Sequence, residues 1–472
     1  MMTFDARETI LVIGLGKSGL ACVRVLRSRG ATVYATDEKP VSELQDAIAV
    51  VEATGARFVP PDQLEPMVSA LTSAVLSPGV PLNSAVVIAV QNHAVPVLGE
   101  IEVAFRLCKA PVTAVTGTKG KSTTTALIGH LLRSSGRNVR VGGNIGNPLI
   151  DEVIDARTTD WVVAEVSSFQ LETIRAFKPR VAVLLNVAPD HLDRYHSMDE
   201  YAEAKFRIFA NQSFGDIFVG NLDDERVASL DVSKSERNIR SRQLWFTLGD
   251  RHDNATIYVH GDDIVYAPIC GDPRPLKVMR KDEIPLAGAH NVQNVMAALL
   301  AAYAVGCETP ALREAVMSFR AMPHRLENAG EIDGVLYVDD SKSTNPGSVV
   351  AALRAYTRPI VLIAGGRSKG TDFVEMGVAI RQRAKALVVI GEAAGEIASH
   401  AQGVETVHAG SMSDAVAKAR ERAAAGDVVL LSPGCASFDM FRSAEDRGEQ
   451  FTAAVHALRE PFDELRTGPA GA

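Results

Sequence analysis

The run Gly117-Thr118-Lys119-Gly120-Lys121-Ser122 constrains the fold of this chain more than any other segment. It follows the apolar run 112–116 and precedes residues 123–132, whose pattern predicts a helix. A glycine loop between a strand and a helix points its backbone N–H groups at phosphate oxygens, where the helix dipole is positive. We therefore predict an ATP site in which Lys121 contacts the β- and γ-phosphates and Ser122 holds Mg²⁺.

The loop departs from the general P-loop in one respect. That motif has its first glycine where this chain has Val115, so the run here is the shorter form Gly-Thr-x-Gly-Lys-Ser. Because Gly-Lys-Ser often arises by chance, an ordinary strand-to-helix turn is the alternative. The flanking strand and helix favour phosphate binding, with contacts that run from Gly117 through Thr123.

Composition and charge narrow the class of protein. The chain has 472 residues, of which 46% are hydrophobic and 22% charged, as in soluble proteins of several domains. A net charge of −8 without a basic run argues against a nucleic-acid partner. Five widely spaced cysteines fit a reducing compartment. With no signal-peptide pattern and no apolar run of roughly 18 residues, we expect a cytoplasmic monomer without a transmembrane segment.

Short apolar runs that alternate with polar or helical segments predict an α/β protein with mostly parallel sheets. We predict three domains, at residues 1–108, 109–322 and 323–472. Strands are expected at 10–13, 32–35, 74–76 and 86–90, then at 112–116, 161–166, 180–185, 217–219, 244–248 and 256–266, and finally at 335–338, 360–364, 387–390 and 428–431. Within 256–266, Gly261-Asp262 predicts a turn.

A second glycine-rich loop, Gly14-Leu15-Gly16-Lys17-Ser18-Gly19, follows the first predicted strand. Asp37 lies where a dinucleotide-binding fold places its ribose-binding acid, so this region alone indicates an NAD site. A tight helix-packing turn is the alternative, and the later P-loop favours a nucleotide diphosphate over a redox cofactor. Ser77 and Gly79 lie in a further loop after a strand, where an open α/β sheet places ligand contacts.

Two polar side chains follow predicted strands near the P-loop. Glu165 ends the apolar run 161–164, and His191 comes soon after the run 180–185. Side chains at the carboxyl ends of strands beside a P-loop are suited to binding Mg²⁺. A loop-facing acid and a capping histidine are the alternative.

These motifs together resemble those of the Mur ligases, the ATP-dependent amino-acid-adding enzymes of peptidoglycan synthesis. The resemblance covers about residues 8–458. Its family-wide parts are the P-loop, Asp190-His191-Leu192-Asp193, His290-Asn291-Val292-Gln293-Asn294 and Pro323-His324-Arg325. More discriminating are Gly142-Gly143-Asn144-Ile145-Gly146, Ser167-Ser168-Phe169-Gln170-Leu171-Glu172, Asp340-Ser341-Lys342-Ser343-Thr344-Asn345 and Leu431-Ser432-Pro433-Gly434-Cys435-Ala436-Ser437. They point to the member that joins D-glutamate to UDP-N-acetylmuramoyl-L-alanine.

The resemblance implies a fold and a set of ligand contacts. The fold is a Rossmann-like N-terminal domain for the UDP group, a central P-loop ATPase domain and a Rossmann-like C-terminal domain that closes on ATP. The implied contacts to the UDP group are Gly14, Lys17, Ser18 and Asp37, in the same domain as the predicted contacts Ser77 and Gly79; those to the muramoyl-alanine part are Asn144, Ser167 and Gln170. For ATP they are Asn294 at the adenine, Arg325 at the γ-phosphate and Asp340 at the ribose, and for D-glutamate they are Thr344, Lys369 and Ser437. Lys342 is a further predicted substrate contact.

The resemblance also implies the chemistry. ATP converts the L-alanyl carboxylate into an acyl phosphate, which the D-glutamate amine then attacks. Two Mg²⁺ ions are implied, one held by Ser122 and Glu165, the other by His191 and a carbamate on Lys205. From the residues alone, Lys205 is predicted to be a solvated helix lysine.

Three positions depart from the usual pattern of the family. Lys119 adds a positive charge where asparagine is common, Glu38 and Lys39 replace Thr-Arg beside the predicted uracil contact, and Ala444 replaces an aromatic residue near D-glutamate. Another Mur ligase, folylpolyglutamate synthase, a dehydrogenase and a regulatory nucleotide-binding module stay open as alternatives.

Overall fold

The computed structural model describes residues 4–191, 194–231, 237, 239–250, 254–268, 274–320, 322–368, 370 and 372–458. Within these residues the strands form three sheets. The described chain packs into two compact units, the first up to Ile284 and then Gln293–Phe319, the second Pro285–Val292 and from Arg320 onward. The first unit holds the first two sheets. The predicted α/β class with mostly parallel sheets in three domains is confirmed, whereas the exact domain boundaries stay predictions.

The first sheet is parallel throughout, in the order β3-β2-β1-β4-β5. Its strands are β1 (Thr9–Ile13), β2 (Thr32–Thr36), β3 (Arg57–Phe58), β4 (Ser73–Leu76) and β5 (Val97–Gly99). The helices of this region are α1 (Lys17–Ser28), α2 (Gln45–Ala53), α3 (Glu65–Val68), α4 (Ala85–Asn92) and α5 (Glu100–Leu107).

The strand predicted at 86–90 is wrong, because these residues lie in α4. Val86, Val87 and Val90 are buried there at helical spacing. Because the whole run is apolar, the sequence alone does not show this helical period. The place in the sheet belongs instead to β5, whose three residues are too few for a visible alternation.

The second sheet runs β14-β13-β12-β11-β10-β9-β6-β8-β7. Its strands are β6 (Val112–Thr116), β7 (Val139–Gly143), β8 (Trp161–Glu165), β9 (Val181–Leu184), β10 (Ile217–Asn221), β11 (Arg242–Thr247), β12 (Ile257–His260), β13 (Asp263–Tyr266) and β14 (Leu276–Arg280). The helices are α6 (Lys121–Ser134), α7 (Leu149–Val153), α8 (Ser168–Glu172), α9 (Met198–Phe206), α10 (Glu225–Ala228), α11 (Ala289–Ala304) and α12 (Thr309–Ser318). The turn predicted at Gly261-Asp262 is confirmed, since β12 and β13 pair antiparallel around it.

The third sheet runs β15-β16-β20-β17-β18-β19 and is parallel except for the β15–β16 hairpin. Its strands are β15 (Glu327–Ile332), β16 (Val335–Asp339), β17 (Ile360–Gly365), β18 (Ala384–Ile390), β19 (Glu405–His408) and β20 (Val428–Leu431). The helices are α13 (Pro346–Arg354), α14 (Val374–Arg383), α15 (Ala394–His400), α16 (Met412–Arg422) and α17 (Ala444–Ala457). None of the helices in the described part of the chain is both long and apolar enough to cross a membrane.

The order of the second sheet positions the candidate site. β6 lies between β8 and β9, and all three strands are parallel. Their carboxyl ends therefore meet at one edge of the sheet, where the P-loop leaves β6. Loops at this edge are where open α/β sheets bind their ligands.

Candidate functional site at the carboxyl edge of the second sheet

The P-loop connects β6 to α6 through a backbone conformation that favours glycine. Gly120, which precedes the first residue of α6, has φ +83°. A Cβ atom at this position would lie 2.3 Å from Oδ1 of Asn294. Asn294, the predicted adenine contact, thus packs directly on the loop. Its Oδ1 also accepts a hydrogen bond from Thr124 Oγ1 at 3.2 Å.

Asn186, just beyond β9, braces the first half of the loop. Its Oδ1 accepts hydrogen bonds from the N–H groups of Thr118 at 3.0 Å and Lys119 at 2.8 Å, and its Nδ2 donates to the Lys119 carbonyl. The N–H groups in the first turn of α6 have no partner four residues earlier within the helix, so that turn is suited to phosphate oxygens. Asn186 directly follows the predicted strand 180–185, and its bracing role was not predicted.

Two lysines converge on one carbonyl of the loop. Lys121 Nζ donates to the carbonyl oxygens of Gly117 and Thr118, both at 2.9 Å, and Lys205 Nζ donates to Gly117 O at 2.9 Å. Lys205 is only 1% exposed, so its predicted solvated environment is wrong. Burial, reinforced by the charge of Lys121, holds the pKa of the Lys205 ammonium well below its ordinary value.

Glu165, the last residue of β8, offers an oxygen to a cation. The side chain is 2% exposed, and Oε1 accepts a hydrogen bond from Asn144 Nδ2 at 2.7 Å. Oε2 is buried and has no hydrogen-bond partner among the described residues. A buried carboxylate oxygen without a partner is unfavourable, and a bound cation would offset that cost. Together with the buried Ser122 hydroxyl nearby in the P-loop motif, this donor set fits Mg²⁺.

His191 lies in an aromatic cluster that reaches the P-loop. Its backbone is left-handed, with φ +55°, and its ring packs edge-on to Phe169 at 4.8 Å and to Tyr201 at 6.3 Å between centroids. The Tyr201 hydroxyl lies 3.2 Å from Thr118 Oγ1, and Lys205 Nζ lies 4.5 Å from the Tyr201 ring centre. Tyr201 was not predicted as a site residue. Leu192 and Asp193 of the same motif lie outside the described residues.

Ser167 and Gln170, the predicted muramoyl contacts, cap the start of α8. Ser167 Oγ accepts a hydrogen bond from the Gln170 N–H at 3.2 Å, and Gln170 Oε1 accepts from the Ser167 N–H at 2.9 Å. This capping box explains why serine and glutamine occur three residues apart in the sequence.

The first sheet brings three predicted UDP contacts together. Gly14 has φ +91°, and a Cβ there would lie 2.9 Å from Cβ of Ser77. Asp37 accepts hydrogen bonds from the N–H groups of Leu15 at 2.7 Å and Lys39 at 3.0 Å. The carboxylate therefore fixes the glycine-rich loop against the end of β2.

The other predicted UDP contacts differ in their surroundings. Lys17 Nζ donates to the carbonyl of Gly146 at 2.7 Å, which joins the glycine-rich loop to the 142–146 loop that carries Asn144. Ser18 is half-buried in the first turn of α1, and Gly79 is exposed, with open space where a side chain would be.

In the second unit, Asp340 is a buried carboxylate held by two serine hydroxyls. It is 6% exposed, and its Oδ2 accepts hydrogen bonds from Ser343 Oγ and, at 2.8 Å, from Ser432 Oγ. Burial raises the pKa of Asp340 to about 7, while the charge of Arg325 acts in the opposite direction.

The remaining predicted contacts of this unit are spread over several loops. Lys342 forms an ion pair with Glu445, Ser437 is 2% exposed, and Thr344 is half-buried. Lys369, predicted to contact the D-glutamate side chain, lies outside the described residues.

Arg447 is a structural centre of this unit that was not predicted. Its side chain is fully buried and donates to Ser341 Oγ at 2.9 Å, to Ser341 O at 2.8 Å and to Cys435 O at 3.1 Å. It thereby ties the 340–345 motif to the 431–437 motif. In the sequence, Arg447 lies among polar residues at the start of α17, and this pattern does not predict a buried side chain.

Comparisons with known proteins agree along the whole chain. The MurD-like N-terminal domain of Mur ligases matches residues 8–99, the Mur ligase middle domain matches 115–302, and the Mur ligase glutamate ligase domain matches 324–435. A UDP-N-acetylmuramoylalanine--D-glutamate ligase of Pelotomaculum thermopropionicum is 45% identical over 467 residues, 98% of this chain and 100% of that protein. One of Koribacter versatilis is 39% identical over 453 residues, 96% and 98% of the two chains.

Solved structures show the same fold at low identity. UDP-N-acetylmuramate-alanine ligase MurC from Thermotoga maritima aligns with a TM-score of 0.60 at 19% identity, covering 96% of this chain and all of that one (100%). MurF ligase from the same organism, in complex with ADP, aligns with a TM-score of 0.60 at 16% identity, covering 97% and 100%.

Proposed function

This chain belongs to the Mur ligase family, and we propose that its P-loop, Glu165, His191 and Lys205 carry out the ATP-dependent joining of D-glutamate to UDP-N-acetylmuramoyl-L-alanine. The reaction belongs to peptidoglycan precursor synthesis. One observation carries the assignment of the site: at the carboxyl edge of the second sheet, a P-loop, a buried carboxylate oxygen without a partner and a buried lysine converge. Relatives that match over nearly the full chain support the substrates.

The chemistry proceeds in two balanced steps. An oxygen of the L-alanyl carboxylate attacks the γ-phosphorus, the bond to the ADP oxygen breaks, and an acyl phosphate forms. The D-glutamate amine then attacks the acyl carbon, loses a proton and expels inorganic phosphate as the amide forms. Because two anions meet in the first step, Lys121 stabilises the charge on the phosphoryl group as it transfers.

We assign two Mg²⁺ positions to these residues. Ser122 and Glu165 would hold one ion, and His191 with a carbamate on Lys205 would hold the other. Bound Mg²⁺ neutralises phosphate charge in phosphoryl transfer. A carbamate on Lys205 would supply oxygen ligands to the second ion, whereas the ammonium form would repel it.

The environment of Lys205 supports its modification. A lowered pKa increases the fraction of neutral amine, which is the form that attacks CO₂ and loses a proton to give a carbamate. The negative charge gained there would be balanced by Lys121, whose Nζ shares the Gly117 carbonyl with that of Lys205.

The remaining assignments follow the predicted contacts. We assign the loops at Gly14–Gly19 and Ser77–Gly79, with Asp37 and Lys17, to the UDP group, and Asn144, Ser167 and Gln170 to the muramoyl-alanine part. Asn294, Arg325 and Asp340 are the further nucleotide contacts, and Lys342, Thr344, Lys369 and Ser437 serve the amino-acid side. The enzyme would act as a monomer in the cytoplasm.

The test is phosphate release from ATP in the presence of UDP-N-acetylmuramoyl-L-alanine and one amino acid at a time. D-glutamate, L-glutamate, L-alanine and L-lysine form the panel, and the amide product is counted by mass spectrometry. We expect release only with D-glutamate, at one amide per phosphate. Release with another member of the panel instead would move the substrate assignment to a different Mur ligase.

A further inference from the structure

A carboxylate behind His191 organises the loop that carries it. Glu172, the last residue of α8, accepts a hydrogen bond at Oε2 from Arg194 Nη2 at 2.8 Å and one at Oε1 from the Tyr195 hydroxyl. The Glu172 and Arg194 side chains are 16% and 22% exposed. An ion pair this shielded holds its geometry better than one in open solvent.

Arg194 and Tyr195 in turn hold the backbone of His191. Their N–H groups donate to the His191 carbonyl at 3.0 and 3.1 Å. His191 has φ +55°, a conformation that is unfavourable for a residue other than glycine. The His191 backbone therefore depends on contacts that hold it, and Glu172 fixes the side chains of both donors.

The same network sets the orientation of the His191 ring. The Arg194 guanidinium lies 3.9 Å from the centre of the Phe169 ring, and Phe169 meets the His191 ring edge-on at 4.8 Å. Tyr195 stacks on Phe169 at 6.0 Å and packs against Tyr201 at 5.1 Å. Thus Arg194 and Tyr195, which Glu172 holds, contact the backbone of His191 directly and contact its ring through Phe169.

We propose that Glu172 is a positioning residue that sets the backbone and ring of His191 for the second Mg²⁺. The inference rests on the proposed function, in which His191 is a ligand of that ion. It gives a role to the last residue of the Ser-Ser-Phe-Gln-Leu-Glu run, which none of the assigned contacts uses.

Loss of this positioning should affect the two metal positions unequally. The groups that orient metal ligands typically contribute about 10–100-fold to affinity or activity. Glu165 and the P-loop lie on other elements, so ATP binding should not depend on Glu172. We therefore expect a Glu172 variant to bind the second ion more weakly while its KM for ATP stays within about twofold.

The experiment compares Glu172→Gln, Glu172→Ala and Tyr195→Phe with wild type. Gln keeps an acceptor for the tyrosine but loses the charge that pairs with Arg194, whereas Phe removes only the hydroxyl. Glu283→Gln is the matched control, because Glu283 is also a paired glutamate, with a side chain 20% exposed and Arg313 as its partner. Bound Mn²⁺ is counted by electron paramagnetic resonance with saturating ADP, and kcat, KM for ATP and Mg²⁺ dependence are measured beside it.

We expect the three variants to need about tenfold more Mn²⁺ to fill the second position, with the first unchanged and with kcat lower at limiting Mg²⁺. The control should match wild type. Equal Mn²⁺ binding in wild type and in the folded variants would overturn the positioning role, as would equal weakening of both positions. Because Mn²⁺ binding is read without turnover, a wild type that fails to use D-glutamate would refute the proposed function separately.

Discussion

The ammonium of Lys205 is buried against the Gly117 carbonyl, in a place where a charge is poorly solvated. Replacing it with alanine should reduce the rate about 100-fold or more, because the proposed carbamate ligand is lost. Short-chain carboxylic acids such as acetate should restore part of the activity by occupying the space of the carbamate. Lys109→Ala, at an exposed lysine outside the site, is the control. Wild-type rates in unsupplemented Lys205→Ala would remove this lysine from the mechanism.

Lys121 should matter for a different reason, the charge of the transferring phosphoryl group. Its replacement by alanine should cost roughly 3–4 kcal/mol in transition-state stabilisation, or about 10²–10³ in rate. Steady-state phosphate release measures the effect, with Lys109→Ala again as reference. A rate within threefold of wild type would show that Lys121 is not a phosphate ligand.

At the residue scale, the site roles stay predictions, and the structure adds the surroundings of the predicted groups. Glu165 was identified from its place at a strand end, and the structure adds the unpartnered oxygen and the Asn144 contact. Lys205 could not be recognised from local pattern, since the carbonyl it contacts lies 88 residues earlier in the chain. Burial created by such long-range contacts leaves no periodic signal in the helix itself.

At the scale of elements, α5 carries a group whose titration should be visible in stability. Glu100 is 1% exposed, its Oε1 accepts a hydrogen bond from the Ile150 N–H at 2.7 Å, and its Oε2 has no partner in the described part of the chain. Burial raises its pKa from 4.5 to about 7. The folded state thus binds this proton more tightly than the unfolded state, so the protein loses stability as pH rises between these values.

Glu100→Gln should remove the loss of stability at higher pH, because the amide keeps the acceptor for the Ile150 N–H and carries no charge. At pH 8 the variant should be more stable than wild type by on the order of 2–3 kcal/mol, and near pH 4.5 the difference should vanish. Urea unfolding at both pH values measures it. The exposed Glu52→Gln in α2 is the control and should show no such pH dependence. A destabilised Glu100→Gln at pH 8 would contradict the burial argument.

Short apolar runs were predicted to be strands, which is right for β1 and β20 and wrong for residues 86–90. The hairpin of β12 and β13 follows from alternation around Gly261-Asp262. By contrast, residues 86–90 are all apolar, so their sequence shows no helical period, and α4 is recognised only from its packing. β14 and β19 were not predicted, because each lies at a sheet edge and has partly exposed residues, so no apolar run marks it.

At the scale of the whole molecule, nucleotide specificity separates the ligase from the dehydrogenase alternative. A ligand that binds only the folded state stabilises it by about 2.7 kcal/mol at 100 times its Kd. Mg²⁺ with a non-hydrolysable ATP analogue should therefore raise the unfolding temperature of wild type but not of Lys121→Ala. NAD⁺ and NADP⁺ should leave both unchanged. A rise with NAD⁺ alone would favour a redox role for the glycine-rich loop at residues 14–19.

The three-sheet architecture was predictable because strand and helix signals alternate along the entire chain. The assignment of substrates was not available from that architecture, since solved structures of MurC and MurF share it at 19% and 16% identity. It came from specific side chains, such as those of the 167–172 run and the 340–345 motif, and agrees with relatives that match nearly end to end.

The most direct measurement follows an oxygen atom through the reaction. UDP-N-acetylmuramoyl-L-alanine labelled with ¹⁸O in its carboxylate is incubated with the enzyme, Mg²⁺, ATP and D-glutamate, and the released phosphate is analysed by mass spectrometry. Transfer through an acyl phosphate predicts one ¹⁸O atom in each phosphate, with release that depends on D-glutamate. Unlabelled phosphate would contradict the ligase mechanism proposed for this chain. Labelled phosphate whose release requires a different amino acid would contradict it as well.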